Sequence, residues 1–182
     1  MAQQDAVIRL LLVEDRLEDA EQLISHLRNG GMAVRPQRPE SEDELVQLLS
    51  GQNIDIVLAA FEAKYLPLAT VVERATATGK DIPVISSVTT LDEKTVLAAL
   101  AAGTRDVVIR HRAEHVQAVV RAEFAALGAR RGLRHLEAAL RETERRCDAL
   151  IASSRDPIAY VHEGMHIRAN DAYLEMFGFE DF

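Results

Sequence analysis

Five short apolar runs, each followed by a stretch with helical spacing, set the strongest constraint on how this chain folds. Residues 7–14 (VIRLLLVE) are almost continuously apolar, as a strand buried on both faces requires. Residues 17–29 then place Leu17, Ala20, Leu23, Ile24 and Leu27 on one helical face, and Asn29-Gly30-Gly31 ends that helix with residues that tolerate positive φ. The cycle repeats. MAVRPQ is a short strand weakened by Pro36, and Ser41 with Glu44 forms a capping box opening a helix that buries Leu45, Leu48 and Leu49. IDIVLAAF (54–61) reads as the third strand, 66–78 as a helix ending at Gly79, and IPVISSV (82–88) as the fourth strand. Asp92–Ala102 is a helix stopped by Gly103, DVVIR (106–110) is the fifth strand, and helical spacing then runs from Ala113 almost to Ser153.

Strands alternating with helices at this pitch predict an α/β fold, a flavodoxin-like, doubly wound, five-stranded parallel sheet with an extended C-terminal helix. In such folds ligands meet the carboxyl ends of the strands. That directs attention to Glu14–Asp15, Ala60–Glu62, Ser87–Thr89 and Arg110. The 182 residues, 48% hydrophobic, suffice for one such domain and part of another. The single cysteine, Cys147, excludes an intrachain disulfide framework and fits a reducing cytoplasm. No apolar run reaches the ~18 residues of a membrane span, and MAQQDAV lacks a signal-peptide pattern, so no membrane partner is expected. A net charge of −8 disfavours nucleic acid. Residues 121–155 run the other way, with eight Arg against five acids, a local +3 that reads as a solvated helix face.

On these residues the chain resembles a receiver domain of two-component response regulators, over about 6–128. LLVEDRLEDAEQL matches the family's first strand with its acidic pair, Glu14 and Asp15, and AALAAGTRDVVIR matches the turn and strand of the fifth unit. The resemblance implies a Mg²⁺ pocket of hard oxygen ligands built from that pair and a third carboxylate, which is also the phosphoryl acceptor. It further implies a hydroxyl after the fourth strand and a lysine after the fifth. Here the acceptor position, five residues after Asp55, is Ala60. The hydroxyl position falls on Val88, with Ser87 or Thr89 one residue away, and the lysine position holds Arg110 followed by His111. Glu62 lies two residues too late to replace the acceptor. The expected domain is therefore a degenerate pseudo-receiver that is not phosphorylated, with no cofactor and no catalytic residue. Glu14 and Asp15 are read as leftover strand-end polar residues, with Mg²⁺ retention as the weaker alternative. Arg110 is a candidate to pair with Glu14 or Asp15 across the pocket.

Leu133, Leu136, Leu140, Thr143, Cys147 and Leu150 recur at spacings of 3, 4, 3, 4 and 3, a short heptad seam. Two readings stay open: a paired coil that makes the chain a homodimer, or a solvated helix with one apolar edge. Gly128 and Gly132 separate this seam from the sheet-packing phase of Val116, Val120, Phe124 and Leu127, and suggest a bend or a change of register there. Residues 129–152 are thus a helical linker. Residues 153–182, with DPIAYV, HEGM, HIRAN and DAYLEMFGF, resemble the opening of a PAS domain, Asn170 holding the family's frequent Asn position. The order receiver, linker, PAS is similar to that of FimX-type GGDEF–EAL proteins of cyclic-di-GMP signalling, type IV pili and twitching motility. A phosphorylatable regulator with an unorthodox acceptor, or a PAS-containing histidine kinase, would begin in the same way. A nucleotide- or flavin-binding enzyme is disfavoured, because VEDRLED offers acids where a phosphate loop needs glycines.

Overall fold

A computed structural model of the chain describes residues 7–178. The first residue of the expected 6–128 segment and the last four of 153–182 lie outside the described residues. The chain divides into two compact units, Met1–Ala129 and Arg130–Phe182.

The first unit is a five-stranded parallel sheet in the order β2-β1-β3-β4-β5. Its strands are β1 (Ile8–Val13), β2 (Val34–Gln37), β3 (Ile56–Ala60), β4 (Val84–Val88) and β5 (Asp106–Ile109). Between them run α1 (Leu17–Asn29), α2 (Glu42–Gly51), α3 (Leu68–Ala77) and α4 (Glu93–Ala101), and α5 (Ala113–Ser153) follows β5. The near-continuous apolar strands serve two cores, because successive side chains point to opposite faces. Leu10 and Leu12 join Ala20, Leu23 and Leu27 of α1 and Val116 and Val120 of α5. Leu11 and Val13 join Leu45 and Leu49 of α2, Val71 and Ala75 of α3 and Ala99 of α4. Leu17 departs from expectation: at the first position of α1 it lies outside the packed stripe and is exposed. Pro36 is accommodated because β2 is an edge strand, which needs no donor there on its open side.

The helix starts follow local chemistry. Ser41 Oγ accepts from the Glu44 N–H at 3.2 Å, while the Glu44 carboxylate reaches past Ser41 to the Glu40 N–H at 2.7 Å. Asp92 caps α4 by accepting from the Thr95 N–H at 2.9 Å. Gly103, at φ 96°, makes the turn into β5, and a Cβ there would meet Val72 Cγ1 at 3.0 Å. The bend expected at Gly128 and Gly132 is not a helix break. Both residues lie within α5, whose backbone ladder tolerates glycine at a modest cost in stability.

The second unit comprises the C-terminal part of α5, an antiparallel hairpin of β6 (Ala159–His162) and β7 (Met165–Ala169), and α6 (Asp171–Phe177). Glu163 and Gly164, at φ 50° and 81°, form a two-residue turn whose twist suits a hairpin. Asn170 is the hub. Its Oδ1 accepts from the N–H groups of Ile158 at 2.8 Å and Tyr173 at 3.1 Å. Its Nδ2 donates to the carbonyls of Ile151, Ser154 and Asp156 at 3.2, 3.3 and 2.9 Å. One amide thus closes the end of α5, starts the hairpin and caps α6.

Candidate functional site

Parallel strands bring their carboxyl ends to one edge of the sheet, where the chain reverses direction on either side of β1. Glu14 directly follows β1, Ala60 ends β3, Ser87 and Val88 end β4, and Arg110 directly follows β5. The ladder sets Ala60 level with Ser87 and Val88 level with Ile109. Of the three candidates 87–89, Ser87 is the one whose hydroxyl meets Glu14. Strand parity is the reason: Val88 points with Val84 into the core beneath α2, α3 and α4, whereas Ser87 points toward the first strand's acid. Thr89 is exposed beyond the strand and takes no part. Glu62 is likewise exposed and does not fill the place left by Ala60.

What fills the strand ends is a buried ion cluster. Glu14 is 1% exposed, and its Oε1 accepts a hydrogen bond from Ser87 Oγ. Its Oε2 lies 3.1 Å from Nη2 of Arg110, a side chain that is itself buried. The other prong of that guanidinium, Nη1, donates to Asp19 Oδ2 at 3.0 Å. Arginine suits this task because its planar fork carries two separated donors, which a lysine ammonium does not. Burial pushes the Glu14 carboxyl above the ordinary carboxylate range. The Ser87 hydrogen bond and Arg110 pull it back, while Asp19 and Asp15 push it further up.

Asp15 does something else. Its oxygens accept from the Lys64 N–H, each at 3.0 Å, and from the Tyr65 N–H at 3.5 Å, so it fastens the loop between β3 and α3. Arg38 donates to the Glu14 carbonyl at 2.8 Å and the Asp15 carbonyl at 3.3 Å. Of the acids expected at this pocket, Glu14 pairs with Arg110, and Asp15 does not. Asp19 and Arg38 were not anticipated. Asp19 was within reach of the sequence, since an acid in the first turn of α1 necessarily sits at the carboxyl end of β1. The seam residues Leu133, Leu136, Leu140, Thr143, Cys147 and Leu150 all lie in the second unit, remote in sequence from this cluster and all exposed along α5.

This sheet order, with polar side chains gathered at the strand ends, defines a flavodoxin-like fold carrying the pocket position of receiver domains. Comparison with solved structures agrees. The receiver domain of a sensor histidine kinase from Pseudomonas aeruginosa PAO1, which has a magnesium ion in its active-site cleft, superposes with TM-score 0.56 at 20% identity, covering 66% of this chain and 99% of that one. The signal receiver domain of a protein named as a Luxo repressor, from Vibrio parahaemolyticus, gives 0.60 at 12% identity, covering 70% and 98%. A protein named as pilus assembly-related, from Burkholderia pseudomallei K96243, gives 0.54 at 20%, covering 65% and 90%. No protein-family model and no curated protein matches the sequence. The first unit has the receiver fold.

That fold implies a magnesium ion, and the donors here do not suit one. Mg²⁺ needs near-octahedral oxygen ligands and gives up water reluctantly. Both Glu14 oxygens are engaged by Ser87 and Arg110, Asp15 is engaged by loop amides, and position 60 offers a methyl group. No cluster of three or more His, Cys, Asp or Glu suited to a metal occurs among the described residues. Nor, among them, is any helix long and apolar enough to cross a membrane.

Proposed function

We propose that this chain is a signalling domain with a receiver fold that works without phosphoryl transfer, and that its output is association through the helix leaving the domain. The observation carrying this reading is the Arg110 guanidinium bridging Glu14 and Asp19 where a phosphorylatable pocket needs free carboxylates, with Ala60 in the acceptor's place. A buried pocket whose carboxylates are already bridged by a guanidinium is a fixed element rather than a switch. Acetyl phosphate or beryllofluoride with Mg²⁺ is expected to give no saturable amide shifts near Glu14 and Asp15 by NMR. Saturable shifts would establish the competing reading, a phosphorylatable regulator with an unorthodox acceptor.

The association surface is the α5 edge of Leu133, Leu136, Leu140 and Leu150, each more than half exposed, with Thr143 and Cys147 completing the heptad. Leucines repeating along an exposed helix edge are better accommodated against a second copy than against water. A homodimer is the first expectation, a different protein partner the second. Comparing solution masses tests this. The full chain is expected to be a dimer at a concentration where a chain cut after Leu127 is a monomer, and two monomers at high concentration would reject the seam.

Residues 153–182 are read as the opening of a PAS domain, on the hairpin, the helix and the capping role of Asn170. This domain order supports a place in a cytoplasmic, multidomain bacterial protein of the FimX type, with GGDEF and EAL domains and a role in cyclic-di-GMP signalling and type IV pili. Likeness to a pilus-assembly-related protein favours that setting, and likeness to a sensor kinase's receiver favours a PAS-containing histidine kinase. Which domains accompany this segment in the intact protein separates the two.

A further inference from the structure

The structure assigns Arg110 the role of a built-in counter-ion: its guanidinium bridges the strand-end acids Glu14 and Asp19 so that the pocket excludes divalent cations even when a carboxylate is restored at position 60. This deepens the reading of the pocket as retired and rests on it. That reading takes the Arg110 bridge and the missing acceptor at Ala60 together, and the inference separates the two. Arg110 is a second barrier, independent of Ala60.

The grounds are geometric. Arg110 directly follows β5, and its N–H donates to the Val88 carbonyl at 2.9 Å, which fixes the start of the side chain. From there the fork reaches Glu14 at 3.1 Å and Asp19 at 3.0 Å, while Ser87 holds the second Glu14 oxygen. The carbonyls of Glu14 and Asp15, which could also serve a hard cation, accept from Arg38 instead. A divalent ion entering here would have to break the Arg110–Glu14 pair and leave a guanidinium beside it. That group does not lose its proton, so the conflict cannot be relieved by titration. Displacing one member of a buried ion pair is costly because the other is left without compensation. Position 60 is level with Ser87 in the ladder, so a carboxylate placed there enters the strand end where Ser87 and Arg110 already engage Glu14.

The test is a Mg²⁺ titration of the full chain, followed by backbone amide shifts at Glu14, Asp15 and Ser87. Wild type, Ala60→Asp, and Ala60→Asp combined with Arg110→Gln are compared. Wild type and Ala60→Asp are expected to show no saturation over the range in which the double variant saturates, a difference of about tenfold or more in affinity. If Arg110→Gln prevents folding, Arg110→Lys keeps the charge but loses the fork, and with Ala60→Asp it is expected to bind more tightly than Ala60→Asp alone. Equal Mg²⁺ affinity for Ala60→Asp and a folded double variant would overturn the counter-ion role. So would saturable binding to the wild type, or no binding by either folded double variant. Ala60→Asp matching the double variants, while beryllofluoride leaves wild type unshifted, would remove this inference and keep the reading of a domain without phosphoryl transfer. A beryllofluoride response in wild type would remove that reading itself.

Discussion

In the first unit apolar side chains fill both faces of a sheet and charge is buried only where it is paired. In the second, apolar side chains lie outside and the buried group is a neutral amide. Leu10, Leu11, Leu12, Ile56 and Leu58 are at most 1% exposed, whereas Tyr160, Met165, Ile167, Met176 and Phe177 are all more than half exposed. Among the described residues of the second unit, Asn170 alone is buried. A sheet with helices on both sides removes enough surface from water to stabilise itself. A hairpin and a short helix do not, and so small an element depends on hydrogen-bond closure and on whatever covers its apolar side chains. The difference teaches where function can reside. The first unit is rigid enough to keep an ion cluster in one arrangement, and the second leaves its surface open to pairing.

Truncating the same kind of side chain in each unit would sharpen this contrast most. Leu58→Ala is expected to destabilise the first unit by about 2–5 kcal/mol, the range for a fully buried leucine, in denaturant unfolding. Ile167→Ala is expected to change stability by no more than roughly 0.5 kcal/mol, since that side chain meets solvent. Comparable losses would mean that the second unit has a core of its own. Next in size is Asn170→Ala. It removes the cap of α6 and leaves the Ile158 and Tyr173 N–H groups without their acceptor, at a cost of roughly 1–3 kcal/mol. Hydrogen exchange is expected to speed up at Ile158 and Tyr173 and to stay unchanged at Leu58. Asn170→Asp keeps the acceptor and loses the donor to Ile151, Ser154 and Asp156, so it is expected to keep the α6 cap while loosening the end of α5.

How much could be read beforehand differs between the units for the same physical reason. Continuous apolar runs such as Leu10–Val13 leave a strand no solvent face, so the parallel sheet and its covering helices followed from pattern. The strand-end acids and Arg110 were legible because fold order alone brings those ends together. Which of residues 87–89 meets Glu14 could not be read beforehand, because counting along a strand does not fix ladder register, and a one-residue difference turns the side chain to the other face. Arg38 was missed because it acts across elements, from beyond an edge strand, whereas Asp19, in the first turn of α1, could have been placed from fold order. Asn170 stood out as a residue at a strand end, but its contacts span nineteen positions back to Ile151, and no local pattern encodes those partners.

Acid titration gives the finest comparison, because Glu14 in the first unit and Asp148 in the second are shifted in opposite directions. Burial raises Glu14, so the folded state binds a proton more tightly than the unfolded chain there. As pH falls from neutrality through that raised value toward the ordinary range, the contribution of Glu14 to stability increases. Asp148 is held low by its hydrogen bond and ion pair with Arg168, which links α5 to β7. Its contribution is present above the ordinary value and is lost as pH falls through the lowered one. Acidification is therefore expected to loosen the hairpin's hold on α5 while relieving the ion cluster. Asp92, held low by Thr95 at the start of α4, loses its cap in the same direction as Asp148, so residue-resolved exchange is needed rather than a global melt. Carboxyl-carbon NMR should place the Glu14 midpoint above ordinary glutamates and the Asp148 midpoint below ordinary aspartates, with Glu14→Gln removing the first response. A Glu14 midpoint below the ordinary range would mean that Arg110 outweighs burial. The cluster would then be an ion pair that stabilises the fold, rather than one the fold holds against the cost of desolvation.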